Sequence, residues 1–296
     1  MPLPKTCQGE LYIYAESLLW SLFPIFSIIA FASLPPLYTG AISTLIATGF
    51  FAFIMTIKKK WHELTIKSAW KDILLATLIV GILFYSLIFI GLQKTTAGSA
   101  GIILLMEVFF SMFILRIWNK EHLAKSNVYG SILMVIGAII ILFPGRINLN
   151  EGDAIILLAT AIPPVGNYFA QQARAKVSSH TIMFVRSALS GIFILLLAMI
   201  FEPAPSSANL TTSFIFLLVN GLLLMGLSKV FWLESIHRIP ITKALALHSI
   251  SPAFTLTFAF FILGEIPTIW QILGLLPMIL GVMFLTGYNL KNRRNP

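Results

Sequence analysis

Charge is what this 296-residue chain has least of: Asp, Glu, Lys and Arg together make up 10% of it, against 58% for the hydrophobic set. So few charges cannot cover a water-soluble domain, and the mean hydropathy of +0.92 excludes that class. The single cysteine, Cys7, excludes an internal disulfide. There is no G-x-x-x-x-G-K-S/T loop, so the chain is not by itself an ATP-driven pump. His62-Glu63 is followed by Ile66 where H-E-x-x-H needs its second histidine, and no G-x-S-x-G occurs. An enzyme is therefore not expected, nor a cofactor, a metal site or a catalytic residue. No cleavable leader is expected either, and the first apolar run is expected to act as its own insertion signal.

What the chain has in quantity is long apolar runs. A hydrocarbon core of roughly 30 Å needs about 20 helical residues. Runs of that order lie at about 11–31, 36–57, 72–92, 96–117, 127–143, 153–173, 180–201, 213–236, 242–263 and 268–288. They are continuous rather than alternating with period two, which excludes a β-barrel. The expected fold is all-α and integral to the membrane, with ten transmembrane helices.

Cytoplasmic loops retain Lys and Arg. With the N-terminus inside, the cytoplasmic segments hold Lys5, Lys58, Lys59, Lys60, Lys67, Lys71, Arg116, Lys120, Lys125, Arg174, Lys176, Arg238, Lys243, Lys291, Arg293 and Arg294, which is 16 of the 20 cations. The external loops hold only Lys94 and Arg146. Both termini are thus expected in the cytoplasm, and the compact loops suggest a bacterial inner membrane. A basic membrane face explains the net charge of +9, and no nucleic-acid partner is expected.

The chain also repeats itself. Glu121, Gly130 and Gly137 recur as Glu265, Gly274 and Gly281, each displaced by 144 positions, and Gly9-Glu10 recurs as Gly152-Asp153 at 143. The halves 1–150 and 151–296 each carry five spans. An odd number makes the second half enter the membrane from the opposite side, so the repeat is inverted. Two such halves can exchange conformations around one central site, which is the basis of alternating access.

Ionisable groups deep in a membrane cost roughly 2.5 to 3.5 kcal/mol on insertion scales, so each needs a reason. Glu107 lies roughly 16 Å into the fourth span, near the midplane, where uptake of a proton neutralises it. It is a candidate proton relay; the competing reading is a structural carboxyl joining two helices. Lys229, about 10 Å deep in the eighth span, shares a face with Met225, Gly226 and Trp232 and suits a substrate or ion-pair role, or snorkels to the interface. Glu16, roughly 8 Å into the first span on a face with Trp20, is its candidate counter-ion. His248, Ser251 and Thr255 form an i, i+3, i+7 polar stripe on the ninth span that must face protein or water. Arg186, roughly 9 Å into the seventh span, is expected to serve structure, pairing with Glu16 or reaching lipid phosphate. Pro24, Pro163-Pro164, Pro252 and Pro277 mark places where a helix loses a backbone bond and can bend, and those in the first and sixth spans nearly correspond between the halves.

The stretch from Arg238 to Leu285, with Ser251-Pro252 inside one helix, Gly264-Glu265 at its end and Gly274 and Gly281 on the next, resembles the hallmark segment of EamA-type carriers of the drug/metabolite transporter superfamily. The first copy departs from it: Glu107-Val108 stands in place of Ser251-Pro252, and Lys120 in place of the glycine before Glu121. The resemblance implies ten helices in two inverted five-helix repeats around a central cavity, lined by the first, third, fourth, sixth, eighth and ninth helices. Glu16, Glu107, Lys229 and His248 fall on those helices and Arg186 does not. By the same resemblance Trp20, Tyr85, Asn167, Tyr168, Asn220 and Trp232 are further lining candidates. The expected function is secondary transport, exporting or exchanging a small polar metabolite such as an amino acid or related zwitterion, with a proton as a candidate partner. The protein is expected as a monomer or homodimer in the bilayer. The alternative is a non-transporting membrane subunit that supports lipid-carrier movement or complex assembly, which a dry, apolar interior would favour.

Overall fold

The computed structural model describes residues 4–119, 125–144, 150–239 and 241–286. Among them every regular element is helical. Backbone polar groups in hydrocarbon must be satisfied within the segment, which apolar runs of this length achieve only as helices. In chain order the helices are α1 (Lys5–Phe31), α2 (Pro36–Ile57), α3 (Lys67–Leu92), α4 (Ala97–Ile114), α5 (Val128–Leu142), α6 (Glu151–Arg174), α7 (Ser179–Phe201), α8 (Ser207–Ile236), α9 (Lys243–Leu263) and α10 (Ile269–Leu285). Eight are long and apolar enough to cross a membrane; α5 and α10 are shorter apolar helices. Large apolar side chains point outward, Phe201 at 73% exposure and Phe261 at 76% among them, as lipid-facing surfaces do.

Six of these helices are interrupted near their middles. α1 breaks at Ser21-Leu22, α4 at Leu104-Leu105, α6 at Ala161-Ile162 and α9 at Ser249-Ile250, while α3 and α8 carry π-helical segments, Thr77–Phe84 and Val219–Leu227. The prolines explain three breaks. Pro24, Pro163-Pro164 and Pro252 occupy the first two positions of the half-helices that restart there, where a missing N–H is not needed. Pro277 instead sits inside α10 without ending it. α2, α5, α7 and α10 run uninterrupted through their described residues.

Close backbone contact holds α5 against α10. A Cβ on Gly130 would meet Gly281 O at 2.8 Å, and one on Gly137 would meet Gly274 O at 2.5 Å, so the repeated glycines are the places where two antiparallel helices touch. At the helix ends, carboxylates take up the N–H groups that a helix leaves unpaired. Glu202, just after α7, accepts from Leu37 N (2.9 Å) and Tyr38 N (3.1 Å) at the start of α2. Reciprocally, Glu63, in the 3-10 turn Trp61–Thr65 after α2, accepts from Ser178 N and Thr181 Oγ1, both at 2.6 Å, at the start of α7. Glu265 accepts from Ala97 N (3.2 Å) and Gly98 N (3.3 Å) at the start of α4. Its repeat counterpart, Glu121, lies outside the described residues.

Glu63 gives a stability prediction. Burial alone would push its carboxyl up, but the bonds from Thr181, then Ser178, and then Lys60 outweigh it and hold it at about 2, below its ordinary 4.5. A depressed carboxyl stabilises the fold above its unfolded value and loses that contribution as pH falls from about 4.5 toward 2. Glu63→Gln should therefore cost about 1.5 to 3 kcal/mol at neutral pH, the range for hydrogen bonds to charged groups. Melting temperatures of both proteins would show the gap shrinking as pH is lowered through that window; a gap independent of pH would refute the assignment.

Candidate functional site

Five of the six interruptions meet at one cavity. Its walls come from Pro24 of α1, Val80 and Tyr85 of α3, Leu104 and Leu105 of α4, Pro163 of α6 and Pro252 of α9, all at or beside a break. From that level it runs toward the ends of α6 and α8, reaching Arg174 and Ile236. Its empty space, counted together with the solvent at its open mouth, is about 1360 Å³. Broken helices are tolerated in a membrane only where backbone is buried in protein or lines a water-filled cavity.

One wall is an ion cluster. Glu16, 1% exposed, lies on the last turns of the first half of α1, with Oε1 3.3 Å from Lys229 Nζ and Oε2 2.8 Å from His248 Nδ1. Ser228 Oγ donates to the same Oε1 at 3.3 Å, and His248 Nδ1 also lies 3.0 Å from Ser17 Oγ. Lys229 Nζ stands 3.2 Å from the centroid of the Trp20 ring, so a π face and a carboxylate share its charge. Trp20 is in turn stacked on Phe23, with ring centroids 4.5 Å apart, and Trp232 meets His248 edge-on at 5.8 Å. Helices α1, α8 and α9 thus meet through one carboxylate.

Glu107 lies on the opposite chain segment, in the first turn of the half-helix that restarts after Leu105. The positive end of that helix favours a carboxylate while burial disfavours it, so the two effects oppose each other. Its Oε1 accepts from Asn167 Nδ2 of α6 at 3.4 Å. Beside it a smaller pocket opens between α4 and α6, lined by Ser111, Asn167, Tyr168 and Gln171.

Polar groups thus wall this cavity at the breaks of membrane helices, and comparison with known proteins gives the family. The sequence pattern of the EamA-like transporter family fits residues 8–143 and again 150–287. The chain belongs to that family. It is similar to an uncharacterized transporter, YoaV, of Bacillus subtilis, 24% identical over 95% of this chain and 97% of that one. An uncharacterized transporter of Methanothermobacter thermautotrophicus is 26% identical over 94% and 85%. A protein of Streptantibioticus cattleyicolor named as a probable terminal-alkyne amino-acid exporter is 24% identical over 67% of each chain. A solved crystal structure superposes with a TM-score of 0.69 over 94% of this chain and 96% of its own, at 14% identity, which shows a shared fold. The protein is a multi-pass membrane transporter and not an enzyme.

Within this EamA-like transporter the sequence candidates separate. Glu16, Trp20, Tyr85, Glu107, Asn167, Lys229, Trp232, His248, Ser251 and Thr255 all line the main cavity, and Tyr168 lines the smaller pocket. The hydroxyls of the polar stripe are engaged in structure: Ser251 Oγ donates to Ser17 O at 3.3 Å and Thr255 Oγ1 to Ser21 O at 3.1 Å, pinning α9 to the break in α1. Asn220 is a correction. It is fully buried in the π-helical segment of α8, lines neither of these two pockets, and its Nδ2 donates to Ser27 Oγ of α1 at 3.3 Å. Arg186 is the second correction. Expected to serve structure away from the lining helices, it lines the main cavity from α7 and has no ion pair with Glu16. The resemblance leaves the seventh helix off the cavity lining, and only the packing of α7 on α3 reveals the reach of Arg186.

Proposed function

We propose that this transporter is a secondary carrier that exports or exchanges a small polar metabolite, an amino acid or related zwitterion, by alternating access, with Glu107 as the proton-coupling group. The observation that carries this reading is the cavity itself: carboxyl, ammonium, guanidinium and imidazole groups line one space that reaches the interruptions of five helices. Such a set can meet both ends of a zwitterion. The amino-acid exporter among the relatives supports the same substrate class.

The reading includes ten spans in two inverted five-helix halves, 1–150 and 151–296, with both termini in the cytoplasm of a bacterial inner membrane. Several contacts support it. The breaks in α1, α3 and α4 have counterparts at corresponding positions in α6, α8 and α9, and the paired glycines of α5 and α10 relate the halves as a two-fold axis between antiparallel helices would. Gly9 approaches the chain after α8 at Ile239, and its counterpart Gly152 approaches the chain after α3 at Lys94. With those termini inside, the ends of α6 and α8 are cytoplasmic and the cavity is open inward. Two halves that can exchange such arrangements supply the outward-open state.

Counterflow tests the proposal. Vesicles containing the purified protein, preloaded with a mixture of L-amino acids, should take up at least one labelled amino acid from outside faster than protein-free vesicles. Failure of all the proteinogenic amino acids to exchange would remove that substrate class.

A further inference from the structure

One buried cation of the cavity has no ion pair among the described residues. Arg186 is 8% exposed, yet among the described residues its guanidinium has no hydrogen bond and no ion pair, although it lines the cavity. A buried cation without a counter-charge is strongly unfavourable, so the site is poised to accept one. The other charges cannot serve it. Glu16 is shared between Lys229 and His248, and Glu107 is engaged by Asn167. Leaving His248 aside, the lining carries Lys229, Arg186 and Arg174 against the two carboxyl groups of Glu16 and Glu107.

The side chain has a built route into the cavity. It starts on α7, outside the ring of interrupted helices, and crosses α3 at a glycine, where that helix has no side chain. A Cβ on Gly81 would stand 3.1 Å from Arg186 Cγ and 3.0 Å from Ser190 Cβ. Gly81 lies inside the π-helical segment Thr77–Phe84, so the distortion of α3 and the missing side chain together form the notch through which the arginine stem passes.

We propose that the Arg186 guanidinium is the anchor for a carboxylate group of the transported molecule, its planar fork meeting both oxygens. The substrates of this cavity are then small organic acids and amino acids with a free carboxylate, rather than amines, amides or sugars. The word "transported" rests on the carrier reading above; the binding step is testable without it.

The test is ligand-dependent thermal unfolding of the detergent-purified full chain. The probes are L-leucine, L-phenylalanine and L-glutamate, each beside its α-carboxamide, with inorganic phosphate as a second anion. At least one free acid should raise the melting temperature of the wild type while its amide does not. Arg186→Gln should weaken that acid at least roughly 30-fold, the lower end for removing one partner of a buried charge pair, and Arg186→Lys should fall between, since a point charge replaces a fork. Gly81→Ala keeps every charge but closes the notch, and should also weaken the acid. The proposal is overturned if Arg186→Gln binds the acid as the wild type does, if amides bind as well as acids, if phosphate outcompetes every carboxylate, or if no carboxylate stabilises the wild type. Should the glutamine variant not fold, the lysine and Gly81→Ala variants decide, and wild-type affinity in both makes Arg186 structural. Carboxylate binding without counterflow would leave this site standing and remove the carrier reading; counterflow undiminished in Arg186→Gln would do the reverse.

Discussion

Replacing Glu107 with Gln should abolish the acceleration of transport by an imposed pH gradient while leaving passive exchange in place. Two carboxylates line the cavity from the described residues, and they differ in what holds them. Glu16 lies within 3.3 Å of an ammonium and 2.8 Å of an imidazole, so discharging it breaks an ion cluster that joins three helices. Glu107 has one neutral partner, the Asn167 amide at 3.4 Å, and can gain or lose a proton without dismantling its surroundings. It also sits in the first turn of the half-helix that restarts in α4, beside the break. Gln keeps the shape and the bond to Asn167 but cannot titrate. In vesicles, a pH gradient should speed wild-type flux and leave Glu107→Gln at its rate without a gradient. Equal responses in the two proteins would make Glu107 a structural residue, and a wild type indifferent to pH would identify a uniporter driven by substrate concentration alone.

The spans were legible because hydrocarbon imposes a length on every apolar run, and the interruptions were partly legible for a related reason. Proline cannot donate in a helix interior, so Pro24, Pro163-Pro164 and Pro252 marked the breaks in α1, α6 and α9. No proline marks the break at Leu104-Leu105 or either π-helical segment, and nothing local in Thr77–Phe84 or Val219–Leu227 separates them from ordinary apolar helix. The glycines at 130, 137, 274 and 281 were found by self-comparison, but that they touch one another is a fact of tertiary packing. Likewise Glu202 and Glu63 each cap a helix more than 100 residues away, a pairing that no window of sequence contains. Arg186 shows the limit most plainly. The resemblance to the family placed its helix outside the cavity lining, whereas the structure brings it in past Gly81 of a neighbouring helix.

Lys229→Ala should be the most damaging single substitution in the ion cluster, and a paired replacement should separate its two consequences. Without the ammonium, Glu16 at 1% exposure keeps only His248 and the Ser228 hydroxyl, and breaking a buried pair from one side costs about 3–5 kcal/mol. Glu16→Gln should cost less, because Lys229 retains the Trp20 face, worth about 2 kcal/mol where water is excluded. In Glu16→Gln/Lys229→Met no charge is stranded, and replacement of a buried pair by groups of similar volume is often neutral or stabilising. The double variant should thus melt within about 1 kcal/mol of the wild type, well above Lys229→Ala. Its transport should nevertheless remain lost, because the groups that order α1, α8 and α9 around a polar substrate are gone. Thermal unfolding paired with counterflow on the same preparations decides between the roles: a double variant that is both stable and active would make the Glu16, Lys229 and His248 cluster a helix clamp, whereas one that is stable and inactive assigns the cluster to the handling of substrate.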